Sequence, residues 1–160
     1  MNIIKAVIPY IIIIITVVVI RTYVLTPVIV SGTSMDDTLK NGELLLLKKY
    51  DKSYERFDIV VFDYGDSKLV KRIIGLPGET LEYKDGVLYI NGEEVEDPFA
   101  LATKDFKLSD LNIDVIPEGY YFVMGDNRSN SSDSRIIGPI SAETINGTTS
   151  FSLWPFGSVE

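Results

Sequence analysis

TLEYKDGVLYING, residues 80–92, decides the fold. Asp85-Gly86 joins the run TLEYK to the run VLYIN, and Asn91-Gly92 turns the chain again. Asp-Gly and Asn-Gly between such runs are strong hairpin signals, because they accept the turn that matches the twist of paired strands. Outward from this hairpin, further short apolar runs are bounded by turn residues. Glu43 to Lys48 (ELLLLK), Phe57 to Phe62 (FDIVVF) and Leu69 to Ile74 (LVKRII) precede it, and Pro117-Glu118-Gly119 introduces YYFVMG after it. No long helical periodicity follows Arg21, so the rest of the chain is expected to be β. Residues 97–114 are more polar and read as a loop excursion with a helical turn near Ser109 to Leu111.

The amino-terminal end is different. From Ile3 to Ile20 only Lys5, Pro9 and Thr16 interrupt an apolar run, about the length that crosses a bilayer as a helix. Lys5 at one end, and Arg21 with Tyr23 at the other, suit the two interfaces. No small-residue cleavage site follows, which argues against a removable leader. The expected division is residues 1–21 as a tip and transmembrane helix, and residues 22–160 as one β domain. With 160 residues, two full domains do not fit.

Composition removes whole classes of chemistry. The net charge is −8, so there is no basic footprint and no nucleic-acid partner is expected. Without cysteine, disulfides and thiol catalysis are excluded. Without histidine, the Ser-His-Asp triad and the usual zinc protease sites go too. A calcium loop fits poorly, because Arg128 stands where a ligand is needed after Asp126. No metal or other cofactor is expected. Any base that serves a nucleophile must be Lys, Asp, Glu or Tyr.

Three clusters are left to carry chemistry. VSGTSMDDTL, residues 30–39, sets Ser34 in a small-residue turn just beyond the apolar run. In LVKRII, alternation places Leu69, Lys71 and Ile73 on one face and Val70, Arg72 and Ile74 on the other. A lysine among apolar neighbours loses solvation, which lowers its pKa and lets it take a serine proton. The plainer reading is a lysine that guards a sheet edge. GDNRSNSSDSRIIG, residues 125–138, is the densest polar stretch; there Asp133 and Arg135 pair if the loop is extended, and a serine can reach a lysine amine. Its plainer reading is an Asx-rich turn.

Taken together, in order and content, these clusters resemble the bacterial type I signal peptidases, most of all their small single-span form. The resemblance runs from Arg21-x-Tyr23-Val24 to Trp154-Pro155. SGTSM is similar to the serine box, which implies that Ser34 is the nucleophile. LVKRIIGLPGE is similar to the lysine box, which implies Lys71 as general base with Arg72 beside it. GDNRSNSSDSR is similar to the last box. There Ser131 stands for the serine that orients the lysine, and Asp133 with Arg135 for a structural ion pair.

The resemblance implies a mostly β fold of antiparallel, barrel-like sheets behind one transmembrane helix. It implies a single-pass protein of the bacterial plasma membrane, with its catalytic domain on the extracytoplasmic side. It also implies cleavage of exported preproteins after small residues at −1 and −3 (Ala-x-Ala), by a Ser-Lys dyad through an acyl-enzyme. Its partners are then preproteins and the lipid bilayer. Family members with a serine two positions before the nucleophile use its hydroxyl for the oxyanion; here that position is Gly32, so a backbone N–H near Gly32 is the expected donor beside Ser34 N–H.

One position departs from the pattern S-M-x-P-T-L: Asp37 replaces the usual proline. A carboxylate there is expected to favour protonated Lys71 and to weaken the enzyme or move its optimum to higher pH. The alternative is accordingly a weakened or inactive homologue that acts as a membrane-anchored binding module. A self-cleaving repressor shares a G-x-S-M turn and a strand lysine, but the apolar run and the GDNR cluster argue against it.

Overall fold

The computed structural model describes residues 3–50 and 52–159. Helix α1 (Ile3–Tyr23) comes first. Its Ile11 to Ile15 and Val17 to Val19 side chains are exposed, so the helix buries no broad face against the rest of the chain. Side chains on it are described from Val7 on, and among the described residues no helix is long and apolar enough to cross a membrane. Thr26 Oγ1 donates to Arg21 O at 2.7 Å and ties the helix end to the first strand.

Thirteen strands follow among the described residues: β1 (Leu25–Ile29), β2 (Leu44–Lys48), β3 (Ile59–Tyr64), β4 (Ser67–Gly75), β5 (Leu81–Lys84), β6 (Val87–Ile90), β7 (Glu93–Val95), β8 (Phe106–Lys107), β9 (Tyr120–Met124), β10 (Ile140–Ser141), β11 (Ile145–Thr149), β12 (Phe151–Trp154) and β13 (Phe156–Ser158). All pairings are antiparallel. The large sheet runs β10-β9-β4-β3-β11-β2-β12-β13, with β1 added to β2; the small one runs β7-β6-β5-β8. The barrel-like arrangement is therefore open rather than closed.

The hairpins form as their turns predict. Asp85, Gly86, Asn91 and Gly92 all have positive φ, the backbone that two-residue hairpin turns require. Two boundaries differ from expectation. The run expected from Phe57 forms a regular strand only from Ile59, because Phe57 sits at φ 72; its N–H still donates to Ile73 O on the neighbouring strand β4. In the stretch 97–114 the expected helical turn forms at Leu108–Leu111; beyond expectation, a second 3-10 turn forms at Ala100–Ala102 and β8 joins the small sheet.

β4 positions the site. It lies between β3 and β9, with Lys71 opposite Val60 and Arg72 opposite Ile59 and Met124. Alternation predicts one buried face, but Lys71, Arg72, Ile73 and Ile74 are all buried. Ile73 packs with Val60, Phe62 and Val123 on one side, whereas Ile74 joins Leu81, Tyr83 and Phe122 under the small sheet. The register with β9 shifts between Ile73 and Gly75, and a Cβ on Gly75 would overlap the Ile116 side chain. The strand thus passes from one core to the other. A third cluster, with Met35, Leu39, Leu45 and Val61, underlies the serine turn.

Candidate active site

The serine turn is held from below and from one side. Met35 and Leu39 are buried and anchor it; Thr38 N and Leu39 N donate to Met35 O at 2.8 and 2.6 Å. Gly32 enters the turn at φ +100, a conformation that glycine adopts without strain. From the side, the loop after β9 grips the turn. Asn127 N donates to Ser34 O at 3.0 Å, Asn127 Nδ2 to Thr33 O at 3.0 Å, and Asn130 Nδ2 to Thr33 Oγ1 at 3.0 Å. At Gly125 the two segments approach so closely that a Cβ would overlap Ser34 O and Ser131 Oγ.

These supports bring Ser34 to Lys71. Lys71 Nζ lies 2.6 Å from Ser34 Oγ and donates to Val70 O at 3.0 Å. Lys71 is only 2% exposed, and no carboxylate among the described residues pairs with it. Burial pushes its pKa below the ordinary 10.5, opposed by the charges of Asp133 and Asp126. The alternation of LVKRII thus hides a lysine rather than guarding an edge. A buried amine that gives up its proton more readily, in reach of a hydroxyl, has the placement that a general base needs.

Arg72, the neighbour, has the opposite fate. Its Nε and Nη2 donate to Asp126 Oδ1 and Oδ2 at 2.9 and 2.7 Å, and its Nη1 to Phe57 O at 2.9 Å. Thr38 Oγ1 donates to Asp126 Oδ2 at 2.5 Å, which joins this pair to the serine turn. The residues around a cavity of about 590 Å³ include Arg56, Phe57, Arg72 and Phe99 but neither Ser34 nor Lys71. It is not the reaction cleft.

Asp133 and Arg135 do pair, at 2.8 Å, but not along a strand. Residues Ser134–Ile137 form a short helix, α2, and Asp133 caps it by accepting from Arg135 N at 3.3 Å. Burial alone would raise the Asp133 pKa; Arg135 first, then Ser131 and Gly125 N–H, hold it below the usual value. Ser131 makes no hydrogen bond to Lys71. Its Oγ is turned toward Asp133, yet it is buried without a partner in hydrogen-bond geometry.

Two expectations need correction. The Gly32 N–H donates to Asn41 Oδ1 at 3.0 Å, so it is not open to an oxyanion. Ser34 N–H, in contrast, has no acceptor among the described residues. Asp37 is exposed, and the carboxylates that act on Lys71 are Asp133 and Asp126. The turn does not carry its charge into the site.

Sequence reasoning placed Asp126, Asn127 and Asn130 in a polar, Asx-rich stretch without showing that they grip the serine turn and Arg72. It missed Asp97, which is buried against Arg128 at 2.7 Å. No local signal marks it. Among the described residues, no group of His, Cys, Asp or Glu side chains is arranged to hold a metal ion.

Residues 2–154 match the family model described as "Signal peptidase, peptidase S26". The chain is 44% identical over 154 residues to Signal peptidase I of Bacillus licheniformis, across 88% of this chain and 82% of that one. It is 46% identical over 136 residues to Signal peptidase I V of Bacillus subtilis (strain 168), across 76% and 81%. A crystal structure of a signal peptidase I from Enterococcus faecalis V583 aligns with TM-score 0.56 and 38% identity, over 60% of this chain and 96% of that chain.

Proposed function

The chain belongs to the signal peptidase family, peptidase S26, and is a serine endopeptidase that removes signal peptides; from that premise we propose that Ser34 is its nucleophile and Lys71 its general base. The observation that carries the assignment is the 2.6 Å approach of a buried lysine to the Ser34 hydroxyl. Lys71 takes the Ser34 proton as Oγ attacks the scissile carbonyl. The departing amine takes that proton from Lys71, leaving an acyl-enzyme. Lys71 then activates the water that releases the acyl group. Ser34 N–H is one donor to the oxyanion, which needs preorganised N–H or O–H groups. Arg72, Asp133 and Arg135 hold the surrounding backbone. Ser131 reaches the lysine amine only after its hydroxyl rotates.

The substrates are preproteins cleaved after small residues at −1 and −3 (Ala-x-Ala). Among the described residues β1 pairs only with β2, so its far edge offers the backbone groups with which an extended substrate pairs. The uncharged run from Val7 to Ile20 of α1 anchors the chain once in the bacterial plasma membrane, with the β domain outside the cytoplasm. Residues 1–21 are then the tip and anchor, and residues 22–160 the catalytic domain.

The test is cleavage of an Ala-x-Ala preprotein by the full chain in lipid or detergent from about pH 7 to 10, the range over which a depressed lysine loses its proton. The native chain is expected to gain rate with pH, and Ser34→Ala and Lys71→Ala to lose cleavage while staying folded. Cleavage that survives Ser34→Ala removes the assignment.

A further inference from the structure

The loop that carries Asp126, Asn127 and Asp133 is not held by the large sheet alone. Arg128 leaves it for the other half of the molecule, and its side chain is 0% exposed. Nη1 donates to Asp97 Oδ2 at 2.7 Å, Thr103 Oγ1 at 2.8 Å and Tyr83 OH at 3.0 Å; Nη2 donates to Asp97 Oδ1 at 3.1 Å. Tyr83 OH donates to Asp97 Oδ2 at 2.5 Å. Tyr83 stands on β5, and Asp97 and Thr103 flank the 3-10 turn after β7. One cation of the catalytic loop is thus received by three side chains from the small-sheet half. The Asp97 carboxylate, itself 0% exposed, receives both arms of the fork.

From Arg128 the contacts lead back to the site. Arg128 Nε donates to Gly125 O at 3.0 Å, and Arg135 Nη2 donates to Arg128 O at 2.9 Å. Gly125 N donates to Asp133 Oδ2 at 3.0 Å. Gly125 is also where the loop meets Ser34 O and Ser131, and Asn127, the residue before Arg128, holds Ser34 O. A buried ion pair is weak evidence for net stability, because both charges give up water to form it. A bidentate fork does fix position and angle.

We propose that Asp97 is a positioning residue of the active site: through Arg128 it locks residues 125–133 against Ser34 and Lys71, which makes the small sheet part of the catalytic machinery. This rests on the assignment of Ser34 and Lys71 given above. If the lock is loosened, the loop lifts and water reaches Lys71. The groups that face the amine are Ser34, Asp126 and Asp133, with the Arg72 and Arg135 guanidiniums behind the two carboxylates. Burial is the largest influence on that amine, so water lets it hold its proton to higher pH.

The experiment uses the full chain in detergent micelles, as native protein, Asp97→Asn and Tyr83→Phe. The pH dependence of Lys71 acetylation by acetic anhydride is read by mass spectrometry, with melting temperature and preprotein kinetics alongside. In Asp97→Asn the labelling midpoint is expected to rise by about half a pH unit, roughly threefold in proton affinity. Its kcat is expected to fall about tenfold with KM within about twofold, because misplacement acts on the chemical step. Tyr83→Phe keeps the buried ring and moves both readouts the same way by less. A lower melting temperature with unchanged midpoint and unchanged kcat per folded enzyme would overturn the proposal and leave the pair only structural. If Asp97→Asn does not fold, Tyr83→Phe decides by the same two readouts. Acetylation needs no turnover, so a native chain that fails to cleave would sink the assigned dyad, while the midpoints still decide the role of Asp97.

Discussion

Lys71 and Arg72 are adjacent cations on β4, 2% and 6% exposed. Arg72 meets the Asp126 carboxylate with two nitrogens and is fixed in place by it. Lys71 is given a hydroxyl and a carbonyl, and the nearest carboxylates act on it only through space. Burial with a partner makes a fixture. Burial without one makes a base, because the charged form is the one that loses most on leaving water. The two residues show that a strand can hide two cations for opposite purposes, and that the partner rather than the burial decides which.

Removing the unpaired cation breaks the comparison most sharply. Lys71→Met keeps length and apolar packing but removes the amine. Cleavage is expected to fall by about 10³-fold or more, the scale of a lost general base, with the fold intact by circular dichroism. The pH dependence of stability changes with it. The Lys71 pKa is lower in the folded chain than its ordinary 10.5. Between the depressed value and 10.5 the unfolded chain binds more protons at this position, so native stability rises with pH across that window. Below the window the buried amine weighs fully against folding. Melting curves of Lys71→Met should lack that rise; a rise retained in the variant would mean that Lys71 is not the group responsible.

Removing the partner of the paired cation acts on stability first. Asp126→Asn leaves Arg72 buried without a countercharge and strips Thr38 Oγ1 of its ionised acceptor. Loss of one member of a buried pair costs about 3–5 kcal/mol, read by chemical denaturation. Asp126 also raises the Lys71 pKa, so its removal should move the ascending limb of any residual activity to lower pH. A limb that moves upward would show that the loop, not the charge, governs the amine.

The legible parts of the molecule are those whose causes are local. Asp85-Gly86 and Asn91-Gly92 demand their turns wherever they stand, and the strands on either side follow. The serine and lysine stretches were recognisable one by one, and only their resemblance to a family joined them. The rest depends on distance in space. That both faces of β4 are buried follows from separate clusters that cover each face, which no alternation pattern contains. Asp133 with Arg135 was readable as a pair, but its backbone was not: an Asp three residues before an isoleucine pair caps a short helix as readily as it extends a strand. Asp97 had no signal at all, because its meaning lies in Arg128, whose partners gather from the other sheet.

Asp37 sharpens the comparison from outside. It is a carboxylate only three residues from the nucleophile, and by sequence distance it should trouble Lys71 more than Asp126 does. In space it faces solvent, where water and salt screen its charge, while Asp126 and Asp133 act through the protein interior. Its N–H has no acceptor among the described residues, so a proline there removes no hydrogen bond of the turn. Asp37→Pro is therefore expected to change kcat by less than about twofold, since its charge is screened, and stability by no more than about 1 kcal/mol through chain stiffness. The pH–rate profile should superpose on that of the native chain. A limb displaced to lower pH by half a unit or more, which is roughly threefold in proton affinity, would mean that the serine turn brings Asp37 to the amine during turnover. The distinction between a paired and an unpaired buried cation would then fail, since Lys71 would have a carboxylate partner after all.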